Sequence, residues 1–169
     1  MNVAPPSAGL LTEAAYRKID REVAKYPPEQ KQSAVMSALA IAQREQGWVS
    51  PEVIEDVARY LGMPPIAVHE VATFYTMYNK RPVGRHKITI CTNLPCQLRE
   101  AVKAADYLKA QLGVDFGETT ADGQVTLQEG ECMGACGDAP VVLVDNDRME
   151  SFMSFERLDA LIDELKATK

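Results

Sequence analysis

Over the first eighty residues the apolar positions recur at helical spacing. Tyr16, Ile19 and Val23 share a face behind a capping Thr12, and Val35, Leu39 and Ala42 do the same after Pro28, with Gly47 placed to end that helix. Ser50-Pro51 is a start signal, because Ser caps and Pro at the first helical position gives up no needed hydrogen bond. Gly62 then stops a segment carrying Val53, Ile54, Val57 and Leu61, and a fourth helix is predicted from Pro64-Pro65 toward Tyr75. After Asn79-Lys-Arg-Pro-Val-Gly-Arg85 the period changes. Ile88 and Ile90 alternate in a strand ending at Cys91, and Leu98, Val102, Ala105, Leu108 and Leu112 trace a helix closed by Gly113. Val125 and Leu127 alternate in a second strand after Asp122-Gly123. Val141–Val144 is an unbroken apolar run suited to a strand buried on both faces, and Ser154 caps a last helix carrying Leu158, Leu161, Ile162 and Leu165. The expected fold class is therefore α+β: a helical bundle over 1–80, then a strand-helix-strand-strand-helix domain over 81–169.

Composition narrows the class. With 169 residues, 46% of them apolar, the chain can bury a sizeable core. No apolar stretch reaches the ~20 residues needed to cross a bilayer, so no membrane insertion is expected. Met1–Leu11 lacks the marks of a secretory or transit leader, which points to a cytoplasmic location and reduced thiols. A net charge of −6 argues against a nucleic-acid partner. The charge is uneven: between Asp115 and Glu150 stand nine acidic residues and one basic one, Arg148. That is a solvated acidic face or, in the sharper reading, a patch that steers a basic partner.

The chemistry lies in the four cysteines, Cys91-x4-Cys96 and Cys132-x3-Cys136. Two short loops, each with two soft thiolates, suit an iron-sulfur cluster or a structural zinc, and both stay open on spacing alone. Neither pair has the C-x-x-C spacing of a redox dithiol. Cys91 closes the first predicted strand and Cys96 opens the following helix, where free N–H groups favour an anionic ligand set. Gly134, Ala135 and Gly137 leave room for backbone N–H groups to approach sulfur. Glu129, Glu131 and Asp138 flank the second loop and would disfavour adding an electron nearby.

Other signals are weaker. His69-Glu70 lacks the second histidine of H-E-x-x-H, since Thr73 stands in its place, and His86 reads as a strand-edge residue. No G-x-G-x-x-G or P-loop is present, so nicotinamide and flavin are expected to bind elsewhere and no active site of its own is assigned. Phe74, Tyr75, Met77 and Tyr78 read as core or interdomain packing, with a partner contact as the alternative, and Trp48 reads as core.

Taken together, Cys91-x4-Cys96 with Pro95, Glu131-Cys-Met-Gly-Ala-Cys136, Ala139-Pro140, Glu70-Val-Ala-Thr-Phe-Tyr75 and Pro82-Val-Gly-Arg85 resemble the small 2Fe-2S subunits of respiratory complex I, from about Tyr16 to Leu165. The resemblance implies a helical N-terminal bundle followed by a thioredoxin-like 2Fe-2S ferredoxin domain, with Cys91, Cys96, Cys132 and Cys136 all ligating one binuclear cluster. It implies electron transfer in NADH:quinone oxidoreductase, with FMN and NADH on a flavin- and NADH-binding partner subunit and larger iron-sulfur subunits as further partners. It also implies a peripheral place on the cytoplasmic side of the membrane. The same module occurs in NAD-linked hydrogenases and formate dehydrogenases, which are the in-class alternative. A zinc-stabilised interaction module is the alternative from another class.

Overall fold

A computed structural model of the chain describes residues 9–168. Most of Met1–Leu11, on which the expectation of no leader rests, lies outside those residues. The chain divides into two compact units between Pro82 and Val83.

Among the described residues the first unit holds four helices: α1 Glu13–Val23, α2 Val35–Gln46, α3 Pro51–Leu61 and α4 Pro65–Phe74, with a run of 3-10 turns over Pro28–Ala34 ahead of α2. The start signals act as expected. Thr12 Oγ1 accepts the Ala15 N–H and Ser50 Oγ accepts that of Val53, while Gly47 and Gly62 end their helices at positive φ. Ile19, Leu39, Val53, Val57 and Val68 form the middle of the core. At its edge sits a buried carboxylate, Asp56, which accepts from the Tyr16 hydroxyl at 2.5 Å, the Leu10 N–H at 3.3 Å and the Arg59 guanidinium. Tyr16 stacks on Tyr60, whose hydroxyl donates to Asp20. Burial and the bond to Asp56 push the Tyr16 hydroxyl up to about 12.

The aromatic group after α4 is not core as a whole. Tyr78 is buried and donates to the Met36 carbonyl at 2.8 Å, whereas Phe74 is 78% exposed and Tyr75 and Met77 are also exposed. Trp48 is half-buried rather than core; its neighbour Val49 is the buried residue there.

The second unit is a four-stranded sheet with helices. Its strands are β1 His86–Cys91, β2 Val125–Gly130, β3 Val142–Val144 and β4 Arg148–Glu150, in the order β2-β1-β3-β4. β1 pairs with β2 in parallel, and β3 is antiparallel to both β1 and β4. A parallel pair needs a crossover, and α5 Leu94–Gln97 with α6 Ala101–Leu112 supplies it. Ile88, Ile90, Leu127, Leu108 and Leu158 fill the core between the sheet, α6 and the last helix, α7 Phe155–Ala167. Ser154 caps α7, accepting the Arg157 N–H.

Three expectations need correction. The helix after Cys91 is not continuous from Leu98, because Glu100 takes a left-handed φ of 65° and separates α5 from α6; Leu98 and Val102 are exposed and only the later positions are core. Cys96 accordingly lies in the four-residue α5 and does not open the long helix, so little aligned dipole stands behind it. In β3, Leu143 is only half-buried, so the run is not buried on both faces throughout. The short β4 has no counterpart among the predicted strands. It follows Asp145 and Asn146, two successive residues at positive φ, in a turn closed by the Asp147 N–H to the Val144 carbonyl.

Candidate metal centre

The sheet order brings the two cysteine loops together. Because β1 and β2 run parallel in the register Cys91↔Gly130, the loop after each strand leaves from the same end of the sheet. Hydrogen bonds continue past the strands: Thr92 N–H to the Gly130 carbonyl at 3.1 Å, and Cys91 N–H to the Val141 carbonyl at 3.1 Å on the other side. The Cys91 thiol donates to the Glu131 carbonyl at 2.6 Å, tying the first loop to the second. Space is tight at this junction: a Cβ on Gly130 would stand 2.7 Å from Thr89 Cγ2 and 2.8 Å from Met133 Cε, so a larger residue there would force those side chains to move.

The four thiols are not equivalent. Cys91 and Cys96 are buried, Cys136 is half-buried and Cys132 is exposed. Cys91 and Cys96 pack with Ala101, Ala139 and Val141, against which Met133 and Ala135 lean. Burial, and the Cys91 and Cys136 thiols within hydrogen-bonding reach, push the Cys96 thiol up to about 12. The second loop turns at Gly134, whose φ is +73° and whose N–H donates to Cys132 Sγ at 3.4 Å. Cys136 begins a short 3-10 turn ending at Asp138, and the Ala139–Pro140 peptide that follows is cis.

The donor set fits a binuclear iron-sulfur group. All four side chains are thiols, the ligand type that iron-sulfur clusters take; Cys91 and Cys96 sit in an apolar cluster, and Cys136 lies within reach of Cys96. Among the described residues, no group of three or more His, Cys, Asp or Glu side chains is placed to hold a single metal ion. A mononuclear zinc must draw four donors onto one point, whereas a binuclear cluster spreads four thiolates over two irons. Both groups take an all-thiolate donor set.

Of the remaining candidates, Glu129 accepts from Thr92 Oγ1 at 2.7 Å and Glu131 from Asn93 Nδ2 at 3.4 Å, so both carboxylates are held beside the first loop. Asp138 is exposed at the end of the second. His69 is on α4 in the first unit. His86 begins β1, at the opposite end from Cys91, with Nδ1 2.8 Å from an Asp145 carboxylate oxygen. Sequence reasoning missed Leu94 and Phe152, both exposed next to the cysteine loops. Helical spacing gives no hint of Phe152, and Leu94 reads only as the residue before Pro95.

Comparison with known proteins bears on this arrangement. Residues 19–166 match the family model described as "Thioredoxin-like [2Fe-2S] ferredoxin". NADH dehydrogenase [ubiquinone] flavoprotein 2 of Dictyostelium discoideum, a mitochondrial protein, is 39% identical over 94% of this chain, which spans 64% of that relative's length. A subunit of the NADH-quinone oxidoreductase of Rickettsia bellii is 44% identical over 85% of this chain and 86% of its own. Among solved structures, an NAD+-reducing [NiFe]-hydrogenase in the H2-reduced state aligns with a TM-score of 0.66 at 22% identity, over 78% of this chain and 22% of that one, a likeness of fold alone.

Proposed function

Because the chain belongs to the thioredoxin-like [2Fe-2S] ferredoxin family, we propose that it holds one 2Fe-2S cluster on Cys91, Cys96, Cys132 and Cys136 and works as the electron-carrying small subunit of an NADH-quinone oxidoreductase. When bound, the cluster takes up and returns one electron with no bond made or broken in a substrate. The residues of this chain supply the setting. Cys91 and Cys96 would offer thiolates from a buried apolar cluster, Cys136 lies within reach of Cys96, and Cys132 would complete the set from the exposed loop. Glu129 and Glu131 put negative charge beside the first loop and disfavour a further electron.

The observation that carries the reading is the convergence of both cysteine loops at one end of the parallel β1/β2 pair. NADH and FMN belong on a partner subunit, with larger iron-sulfur subunits beyond it, and the complex holds this chain at the cytoplasmic face of the membrane. Identity to complex I subunits over most of both chains supports this assignment. No helix among the described residues is long and apolar enough to cross a membrane.

The test is iron, zinc and acid-labile sulfide per chain on anaerobically purified protein, with EPR before and after dithionite. The expected result is about two irons and two sulfides, with a signal only on reduction. Stoichiometric zinc without sulfide, from cells supplied with iron, would overturn the reading.

A further inference from the structure

We infer that Leu94, Leu98 and Phe152, exposed beside the cysteine loops, form the contact face for the protein with which this chain exchanges electrons, and that this partner presents an apolar hollow edged by Lys and Arg. The inference rests on the electron-carrier reading above.

The short helix α5 has two unlike faces. Cys96 is 1% exposed, whereas Leu94 is 67% and Leu98 79% exposed. The Leu98 N–H donates to the Leu94 carbonyl at 3.2 Å, so the two leucines stand one helical turn apart on the same side. A single exposed leucine is ordinary; a pair turned outward from the element that turns a ligand inward is not.

Phe152 lies by the other loop, with its N–H donating to the Asp138 carbonyl at 2.7 Å. It is half-exposed at a φ of +53°, a left-handed conformation that aromatic residues rarely adopt. The segment is held there firmly: Met153 next to it is buried and donates to the Pro140 carbonyl at 3.1 Å. Backbone strain that presents an aromatic side chain to solvent, pinned to a ligand loop, is the kind of outlier that marks a working surface.

The surrounding charge specifies the partner. The Glu129 and Glu131 carboxylates are fastened to Thr92 and Asn93, directly before Leu94, and Asp138 is exposed at the Phe152 side. Arg99 is the cation next to Leu98. A second copy of this chain seated on the same face would bring Glu129, Glu131 and Asp138 against their own like, which disfavours it. A surface with basic residues around an apolar centre answers both features at once. Cys132, the exposed ligand, lies on the same loop as Glu131 and Asp138, so a protein docked here approaches the redox centre from its least covered side.

The test uses the full chain with its cluster in place, and as probe the flavin- and NADH-binding subunit of the same cell's NADH-quinone oxidoreductase, immobilised for binding kinetics. The L94D/L98D double variant, with iron and sulfide content and far-UV spectrum unchanged, is expected to bind at least tenfold more weakly than wild type. E129Q/E131Q, which leaves the leucines intact and guards against a folding defect in the first variant, is expected to slow association and flatten its salt dependence. Wild-type binding that L94D/L98D leaves undiminished would overturn the surface while leaving the electron-carrier reading in place. A cluster-loaded wild-type chain that ignores the flavin-binding protein would overturn that reading, and this inference with it. A wild-type dimer in gel filtration that L94D/L98D dissolves would overturn the choice of occupant.

Discussion

Replacing Tyr16 with Phe tests whether the Asp56 network holds the helical unit together. The hydroxyl donates at 2.5 Å to a carboxylate that is itself buried, and a hydrogen bond to a charged group is worth about 1.5–3 kcal/mol. Asp56 keeps the Arg59 guanidinium and the Leu10 N–H as partners, so it is not stranded, and the lower part of that range applies. The expected loss is about 2 kcal/mol. Trp48, the sole tryptophan, lies in the helical unit, so intrinsic fluorescence during urea unfolding follows that unit. The variant should also change the alkaline limb. The Tyr16 proton is held up to about 12 in the folded chain against 10.0 ordinarily, so across that window the unfolded chain has released a proton that the folded one retains. Stability from this group is complete below about pH 10 and is lost as pH rises through about 12. Tyr16→Phe should flatten that decline, leaving the parts due to Tyr60, which burial and its bond to Asp20 also raise, and to Tyr78, which burial raises. A shift of the fluorescence midpoint worth less than about 0.5 kcal/mol, with the alkaline limb unchanged, would refute the account.

Other outcomes follow from the second unit. Leu108 is fully buried between α6 and the sheet; Leu108→Ala should cost about 2–5 kcal/mol, read as earlier loss of secondary structure by circular dichroism. Cys96→Ser should retain far less iron and sulfide per chain than Cys132→Ser, because Cys96 is buried among other thiols while Cys132 faces solvent. Glu131→Gln should raise the midpoint in a redox titration, since it removes a negative charge held by Asn93 beside the first loop; an unchanged midpoint would rule out that influence.

Much of the fold was legible because it is local. Thr12, Ser50 and Ser154 cap where they stand, and Gly113 ends α6 at positive φ, through bonds that span only a few residues. The break at Glu100 was not legible: a glutamate gives no sign of a left-handed turn, and Leu98 falls in step with the core of α6 although it faces solvent. β4, Arg-Met-Glu, has no strand pattern of its own and is set by the turn at Asp145 and Asn146. At the candidate centre, cysteine spacing pointed to two loops of paired thiols, with an iron-sulfur cluster and zinc both open. The inequality of the four thiols was not legible, because it depends on which strand pairs with Cys91 and in which direction.

The central position of β1 has a consequence for synthesis. Both of its neighbours come later in the chain, and the carbonyl that receives the Cys91 N–H belongs to Val141. At about 5–20 residues per second, the first cysteine pair emerges from the ribosome several seconds before the strand that walls it in. The helical unit, complete by Pro82, can fold during that wait. Cys91 and Cys96 therefore spend the interval uncovered, open to alkylation on nascent chains arrested before Val141 and protected on chains released at full length.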